Sequence, residues 1–354
     1  MDLMPTSDQE AIAASVRSFL ENELPMERVR RLGEAGPADY APLWRAAAEL
    51  GFFGLGLPAE KGGAGYALTE EMVLLEELGR ALAPGPWLGS LIAAHALRDA
   101  SEGALVELRR QILAGELRVA LVDGLDRPLA TAARDGRMTG ERAFVADAAV
   151  ADAFLVLDRE GAAVVPSPHG AAGVTTEPCP SMDPTRPIAH VAFADAACFA
   201  LEGGAQRAAM LRREATALAC AEAVGGIQRT VELSVEYAKT RTQFDRPIGS
   251  FQAVKHRCAD MAVRAESARS ATIYAVVSVR DGAGDADFQV AVAKILCANA
   301  YVQNAADNVQ NHGGMGFTWE CDAHLYVKRA RSFDVSFGTR TEQLDRLVAG
   351  FRAG

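Results

Sequence analysis

No run of about 18 apolar residues, the length a helix needs to cross a bilayer, occurs in this 354-residue sequence, so no membrane span is expected. The opening stretch MDLMPTSDQEAIAASV lacks the basic start and apolar block of a secretory signal, and a cytosolic location is the expectation. Basic residues are in deficit: 36 Lys and Arg stand against 46 Asp and Glu, a net charge of −10. That balance disfavours nucleic acid as a partner, because phosphate backbones require a basic face. Cysteine is sparse. Cys179, Cys198, Cys220, Cys258, Cys297 and Cys321 form no CxxC pair, and no Cys/His spacing matches a zinc site. They read as buried free thiols in a reducing compartment, and no metal is expected. Internal repeats and low-complexity segments are missing as well.

What is present is ordinary for a globular protein, with 49% hydrophobic and 23% charged residues. The length calls for two or three domains or one large composite fold. Residues 1–115 carry helical periodicity. Thr6-Ser7-Asp8 offers an N-cap for Glu10–Glu21, whose Ile12, Val16, Phe19 and Leu20 share a face. Tyr40–Leu50 and Glu70–Ala83 repeat the pattern, separated by the glycine-rich GFFGLGLPAEKGGAGYAL, which reads first as plain turn chemistry. Residues 116–205 alternate short apolar runs with Gly, Asp and Pro, the pattern of a small antiparallel β-domain. Residues 206–354 return to long helical runs, Glu214–Thr240, Ala253–Arg280 and Asp287–Asn311, with short connections that predict an antiparallel bundle. The fold class is therefore mainly α with a central β-domain.

Positive charge, though scarce, is clustered: Arg207, Arg212 and Arg213; Arg241, Arg246, Lys255 and Arg257; Lys328, Arg329 and Arg331. The second cluster sits in RTQFDRPIGSFQ, too rich in special residues for a plain helix connection. Taken alone, Arg241 is a solvated surface charge. With its continuation, RTQFDRPIGSFQAVKHRCADM, and with QNHGGMGFTWECDAHLYVKRA, the sequence resembles the acyl-CoA dehydrogenase superfamily. LGFFGLGLPAEKGGAG and LLEELGRALAPGPWLGS are similar to that family's substrate-domain loop and following helix, so the resemblance covers nearly the whole chain.

The resemblance implies an N-terminal helical domain, a small antiparallel β-barrel-like domain and a C-terminal four-helix bundle. It implies α,β-dehydrogenation of an acyl-CoA thioester with FAD as cofactor, electrons leaving to an electron-transfer acceptor. Members matching the two C-terminal motifs turn them toward a neighbouring chain's FAD. Arg241 then supplies a fixed cation for the pyrophosphate, Gln243 a donor, Phe244 an apolar wall and Gln252 a helix N-terminus. Gln310, Gly313 and Gly314 belong to the second motif, where bare backbone allows close approach. His256, His312 and His324 read as packing or orienting residues.

Three departures stand out. The family's usual base is a Glu before a Gly-Thr, but here Phe337 precedes Gly338-Thr339, and a phenyl ring accepts no proton. Counting back from AVGGIQR, the family's alternative base position is Ala215, followed by Thr216. Glu214 is adjacent but rotated by about 100° on a helix. Asp334, roughly one helical turn before Phe337, is the other candidate acid. Lastly, VALVDGLDRPLATAARDG and AFVADAAVADAF keep neither of the family's flavin-embracing β-domain motifs, and Phe144–Asp147 retains only apolar character. Three roles stay open. One is an accessory subunit of a heteromer such as the α2β2 enzymes that act on steroid side-chain thioesters. Another is a self-sufficient homo-oligomer using Glu214 or Asp334. The third is a flavin- or acyl-CoA-binding protein without catalysis.

Overall fold

The computed structural model describes residues 5–33, 36–101, 103–124, 132–167 and 171–353. The chain divides into two compact units, one built from Met1–Met26, Met72–Ala83 and Thr216–Gly354, the other from Glu27–Glu71 and Pro84–Ala215.

The N-terminal helices are α1 (Ser7–Glu23), α2 (Met26–Leu32), α3 (Pro37–Glu49), α4 (Leu68–Arg80), α5 (Trp87–Ala96) and α6 (Gly103–Leu113). Thr6 and Gln9 form a reciprocal capping box at α1, with Gln9 N–H donating to Thr6 Oγ1 at 3.2 Å and Thr6 N–H to Gln9 Oε1 at 3.1 Å. The helix then buries Val16, Phe19 and Leu20, as its periodicity requires.

Among the described residues, strands β1 to β8 form two four-stranded sheets. One has β1 (Val119–Asp123), β4 (Ala153–Leu157), β5 (Ala162–Pro166) and β8 (Phe199–Ala200), in that order. The other runs β2 (Ala132–Arg134), β3 (Arg137–Ala146), β7 (Ile188–Ala197), β6 (Val174–Cys179). Both contribute to one apolar core that includes Val122, Phe154, Val165, Met138, Val191 and Phe193. Phe154 meets Phe193 edge to face at 5.7 Å. The antiparallel expectation needs one amendment: β1 runs parallel to β4. The chain visits the second sheet between those two strands, and such an excursion is long enough to return it in the same direction.

The C-terminal helices are α7 (Gly204–Thr240), α8 (Gln252–Arg280), α9 (Ala286–His312), α10 (Ala323–Val335) and α11 (Arg340–Ala353). A short hairpin, β9 (Thr242–Gln243) and β10 (Arg246–Pro247), links α7 to α8. Helix α7 begins ten residues before the periodic run Glu214–Thr240, because AQRAAMLRRE is rich in strong helix formers although its pattern is weak. Within the first unit α4 lies hard against α7. A Cβ on Gly79 would overlap the Glu222 carbonyl, and one on Gly225 the Glu76 carbonyl, so AVGGIQR is in part a helix-packing sequence. Among the described residues no helix is long and apolar enough to cross a membrane, and no His/Cys/Asp/Glu group could hold a metal.

Candidate functional site

The hairpin after α7 has a two-residue turn, Phe244 and Asp245, with φ of 53° and 61°. Two successive left-handed residues define a type I′ turn, which favours Asn and Gly. A phenylalanine there costs about 1–2 kcal/mol. The base of the hairpin is fixed by Arg241 N–H donating to Tyr237 O (2.8 Å) and Ile248 N–H donating to Arg241 O (2.9 Å). The Arg246 guanidinium lies 4.2 Å over the Phe251 ring, and Phe244 meets the same ring edge-on at 6.0 Å. Phe244 nevertheless remains 86% exposed at the tip. The Arg241 guanidinium is exposed and has no hydrogen bond or ion pair among the described residues. Gln243 Nε2 donates to Thr242 O at 2.9 Å. Gln252 opens α8 with an exposed side chain, and no side chain caps that helix start.

The second motif ends α9. Gly313 has φ 61° and ψ −141°, backbone that only glycine adopts readily. At Gly314 no such need exists: its φ is not positive, and an added Cβ would meet nothing within 4 Å. No contact among the described residues demands glycine at 314. Gln310 is exposed beside it. The structure brings the two motifs together, because the His312 ring stacks on Tyr237 with centroids 4.3 Å apart and Nδ1–H donates to Asn308 O at 2.8 Å. Arg257 donates to Asn311 Oδ1 at 2.9 Å from α8. An unpaired guanidinium, a bare aromatic ring, an uncapped helix start and open glycine backbone suit a phosphorylated aromatic ligand such as FAD arriving from outside the chain. Gly314→Ala should leave the unfolding free energy of the chain within about 0.5 kcal/mol of wild type and lower the flavin content of the assembled protein. Urea titration beside flavin absorbance reads both.

The base candidates lie elsewhere. Phe337 follows α10 at φ 56°, and its carbonyl accepts a hydrogen bond from Gln343 Nε2 at 2.6 Å. Asp334 is part-exposed and 4.0 Å from Arg331. Glu214 belongs to a buried cluster in the second unit. Its Oε2 lies 2.9 Å from Nδ1 of His95, whose Nε2 lies 2.9 Å from Glu71 Oε1. Gly56 N–H donates to that same Glu71 oxygen at 3.1 Å. Burial opposes a charge on His95, but Glu71 and Glu214 overcome it and push its pKa up to about 10, so the ring is an imidazolium held by two carboxylates. Burial would raise Glu214, yet His95, with Arg98 and Arg207, holds it below the ordinary carboxylate value. His95 and Glu71 carried no local sequence signal, since their partners lie 24 and 119 residues away.

On the β-domain, Phe144 and Asp147 both have positive φ (60° and 58°), and β3 loses its register to β7 between Arg142 and Val145. Phe144 is 71% exposed there, whereas Asp147 is buried. Of VALVDGLDRPLATAARDG, residues 125–131 lie outside the described residues. His256 is exposed on α8, and His324 packs edge-on against Trp319 at 4.9 Å. Also unforeseen were the exposed Phe317 and Trp319, which follow the glycine motif on the same surface segment.

Comparison with known proteins gives the family. Residues 6–111 match the acyl-CoA dehydrogenase N-terminal domain, and residues 203–351 the acyl-CoA dehydrogenase C-terminal domain. The chain belongs to the acyl-CoA dehydrogenase family. It is 33% identical over 345 residues to acyl-CoA dehydrogenase IpdE2 of Mycolicibacterium smegmatis, covering 97% of this chain and 99% of that protein. It is 35% identical over 329 residues to acyl-CoA dehydrogenase FadE34 of Mycobacterium tuberculosis, covering 91% of this chain but only 44% of that one. The ChsE4-ChsE5 complex of M. tuberculosis contains a chain that superposes with a TM-score of 0.88 at 29% identity, complete over both chains.

Proposed function

We propose that this chain is the accessory subunit of a FAD-dependent acyl-CoA dehydrogenase, completing a flavin site whose ring-side contacts and catalytic base belong to a related partner subunit. The observation that carries the reading is the hairpin. A strained turn presents Phe244 and an unpaired Arg241 outward, while the position of the family's base holds a phenylalanine. Two relatives support it. ChsE4-ChsE5 is a complex of two differently named chains, and FadE34 is more than twice as long as the stretch it shares with this chain.

In this reading Arg241 grips a pyrophosphate oxygen pair, Gln243 and the α8 start at Gln252 add donors, Phe244 excludes water, and Gln310, Gly313 and Gly314 pass close to the ligand. FAD, when bound, supplies the hydride acceptor for the β-carbon of an acyl-CoA thioester, and an electron-transfer acceptor reoxidises it. The α-proton goes in this reading to a carboxylate of the partner, since Phe337 has no basic atom and Glu214 is engaged by His95, which leaves Asp334 to be excluded by experiment. The test is turnover of the assembled enzyme with Glu214→Gln and Asp334→Asn in this chain. Activity within about twofold of wild type is expected, an effect under 0.5 kcal/mol on the barrier. Abolition by either amide in an assembly that still folds and holds its flavin would place the base in this chain and make it a self-sufficient dehydrogenase.

A further inference from the structure

Lys294, on α9, is only 1% exposed and forms no ion pair among the described residues. Its Nζ donates to the carbonyls of Phe333 (3.0 Å) and Asp334 (3.3 Å) in the last turn of α10, and it lies 4.3 Å from the centre of the Phe333 ring. Burial draws its pKa down, while the facing Cys220, Asp334 and Cys297 oppose that. An ammonium placed against the last carbonyls of a helix is held by the negative end of the helix dipole.

The chain beyond α10 turns sharply at Phe337 and Gly338, with φ of 56° and 95°. Several polar groups of this turn are engaged. Ser336 N–H shares the Phe333 carbonyl with Lys294 (3.1 Å), and Ser336 Oγ donates to Ser332 O (2.7 Å). Gln343, also 1% exposed, donates to Phe337 O at 2.6 Å. Thr339 N–H donates to Glu342 Oε2 at 2.6 Å, starting α11. A bulky residue in the left-handed region is uncommon, and it persists where surrounding contacts over-determine it.

We infer that Lys294 and Gln343 are positioning residues that set the direction of whatever side chain stands at 337. This rests on the reading of 337 as the family's base position, and it means that the mount has outlasted the base it once aimed. Phe337 is thereby an oriented apolar wall, and a carboxylate placed there would inherit a fixed direction.

Hydrogen exchange on the full chain, in its assembly, tests this without reading flavin or turnover, so its failure is separable from failure of the function proposed above. In Lys294→Met the Ser336 amide should exchange at least tenfold faster, with the interior amides of α9 unchanged and Lys294→Arg restoring protection. Gln343→Leu should do the same at Thr339. Unchanged exchange at Ser336 and Thr339 would overturn the inference. So would an equal rise through α9, which marks a merely structural role, or a structure of Lys294→Met with Phe337 still at its left-handed φ.

Discussion

His95→Leu is expected to lower the stability of this protein by about 3–5 kcal/mol at pH 7, the cost of stripping one partner from a buried ionic cluster. The substitution removes a cation that both ring nitrogens tie to carboxylates at 2.9 Å, and it leaves Glu71 and Glu214 without the group between them. The pH dependence carries a sign. His95 binds its proton more tightly folded than unfolded, with a folded pKa of about 10 against an ordinary 6.5. Its contribution is therefore complete below pH 6.5, declines from there and is gone above pH 10. Glu214 acts on the opposite flank: its lowered pKa contributes above the ordinary carboxyl value and is lost as the pH falls through the folded one. Urea midpoints between pH 6 and 10.5 read the His95 effect, and a second series below pH 4.5 reads that of Glu214. The wild type should lose stability across the upper window, and His95→Leu should be nearly flat there. A wild type equally stable at pH 6.5 and 10.5 would remove the imidazolium from the cluster. Replacing all three residues by leucine should recover most of the loss, because apolar packing of similar volume commonly replaces a buried ionic cluster without penalty.

Arg241→Gln is the second large effect, and it should fall on the ligand rather than the fold. Arg241 is exposed and unpaired among the described residues, so its loss should change the unfolding free energy by less than about 0.5 kcal/mol. A hydrogen-bonded charge on a pyrophosphate is worth about 1.5–3 kcal/mol, and flavin affinity of the assembled enzyme should fall about 10- to 100-fold. Arg241→Lys should recover only part, since an ammonium keeps the charge but not the two-pronged geometry. Flavin titration of the deflavinated assembly measures this directly. Affinity unchanged in Arg241→Gln would mean that the hairpin serves some other contact.

The two C-terminal motifs that carry the family resemblance were readable because each is contiguous. Arg241 to Gln252 and Gln310 to Gly314 each fit in one glance along the chain, and their residue types name the chemistry before any fold is known. The phenylalanine at the position where the family resemblance expects a Glu was visible for the same reason, since Phe337 abuts Gly338-Thr339. The β-domain was readable as strands, but not the parallel β1–β4 pair, because strand runs do not record which neighbour each will find. The His95 cluster was hidden for a related reason. A lone histidine in WLGSLIAAHAL looks like core, and only tertiary packing brings Glu71 and Glu214 to its two nitrogens. Lys294 in VAVAKIL likewise reads as a surface lysine on an amphipathic helix, until the carbonyls of α10 close over it. Exposure of Phe244 on a left-handed turn ran against both burial and backbone preference, and local conflict of that kind is what a surface built for something outside the chain produces.

The most direct measurement is the flavin absorbance per polypeptide of this chain purified by itself and together with a base-bearing acyl-CoA dehydrogenase partner. Little flavin on the solitary chain, and one FAD per pair of unlike subunits together with acyl-CoA oxidation in the mixture, is the expected result. One FAD on every copy of the solitary chain, bleached by an acyl-CoA, would contradict it.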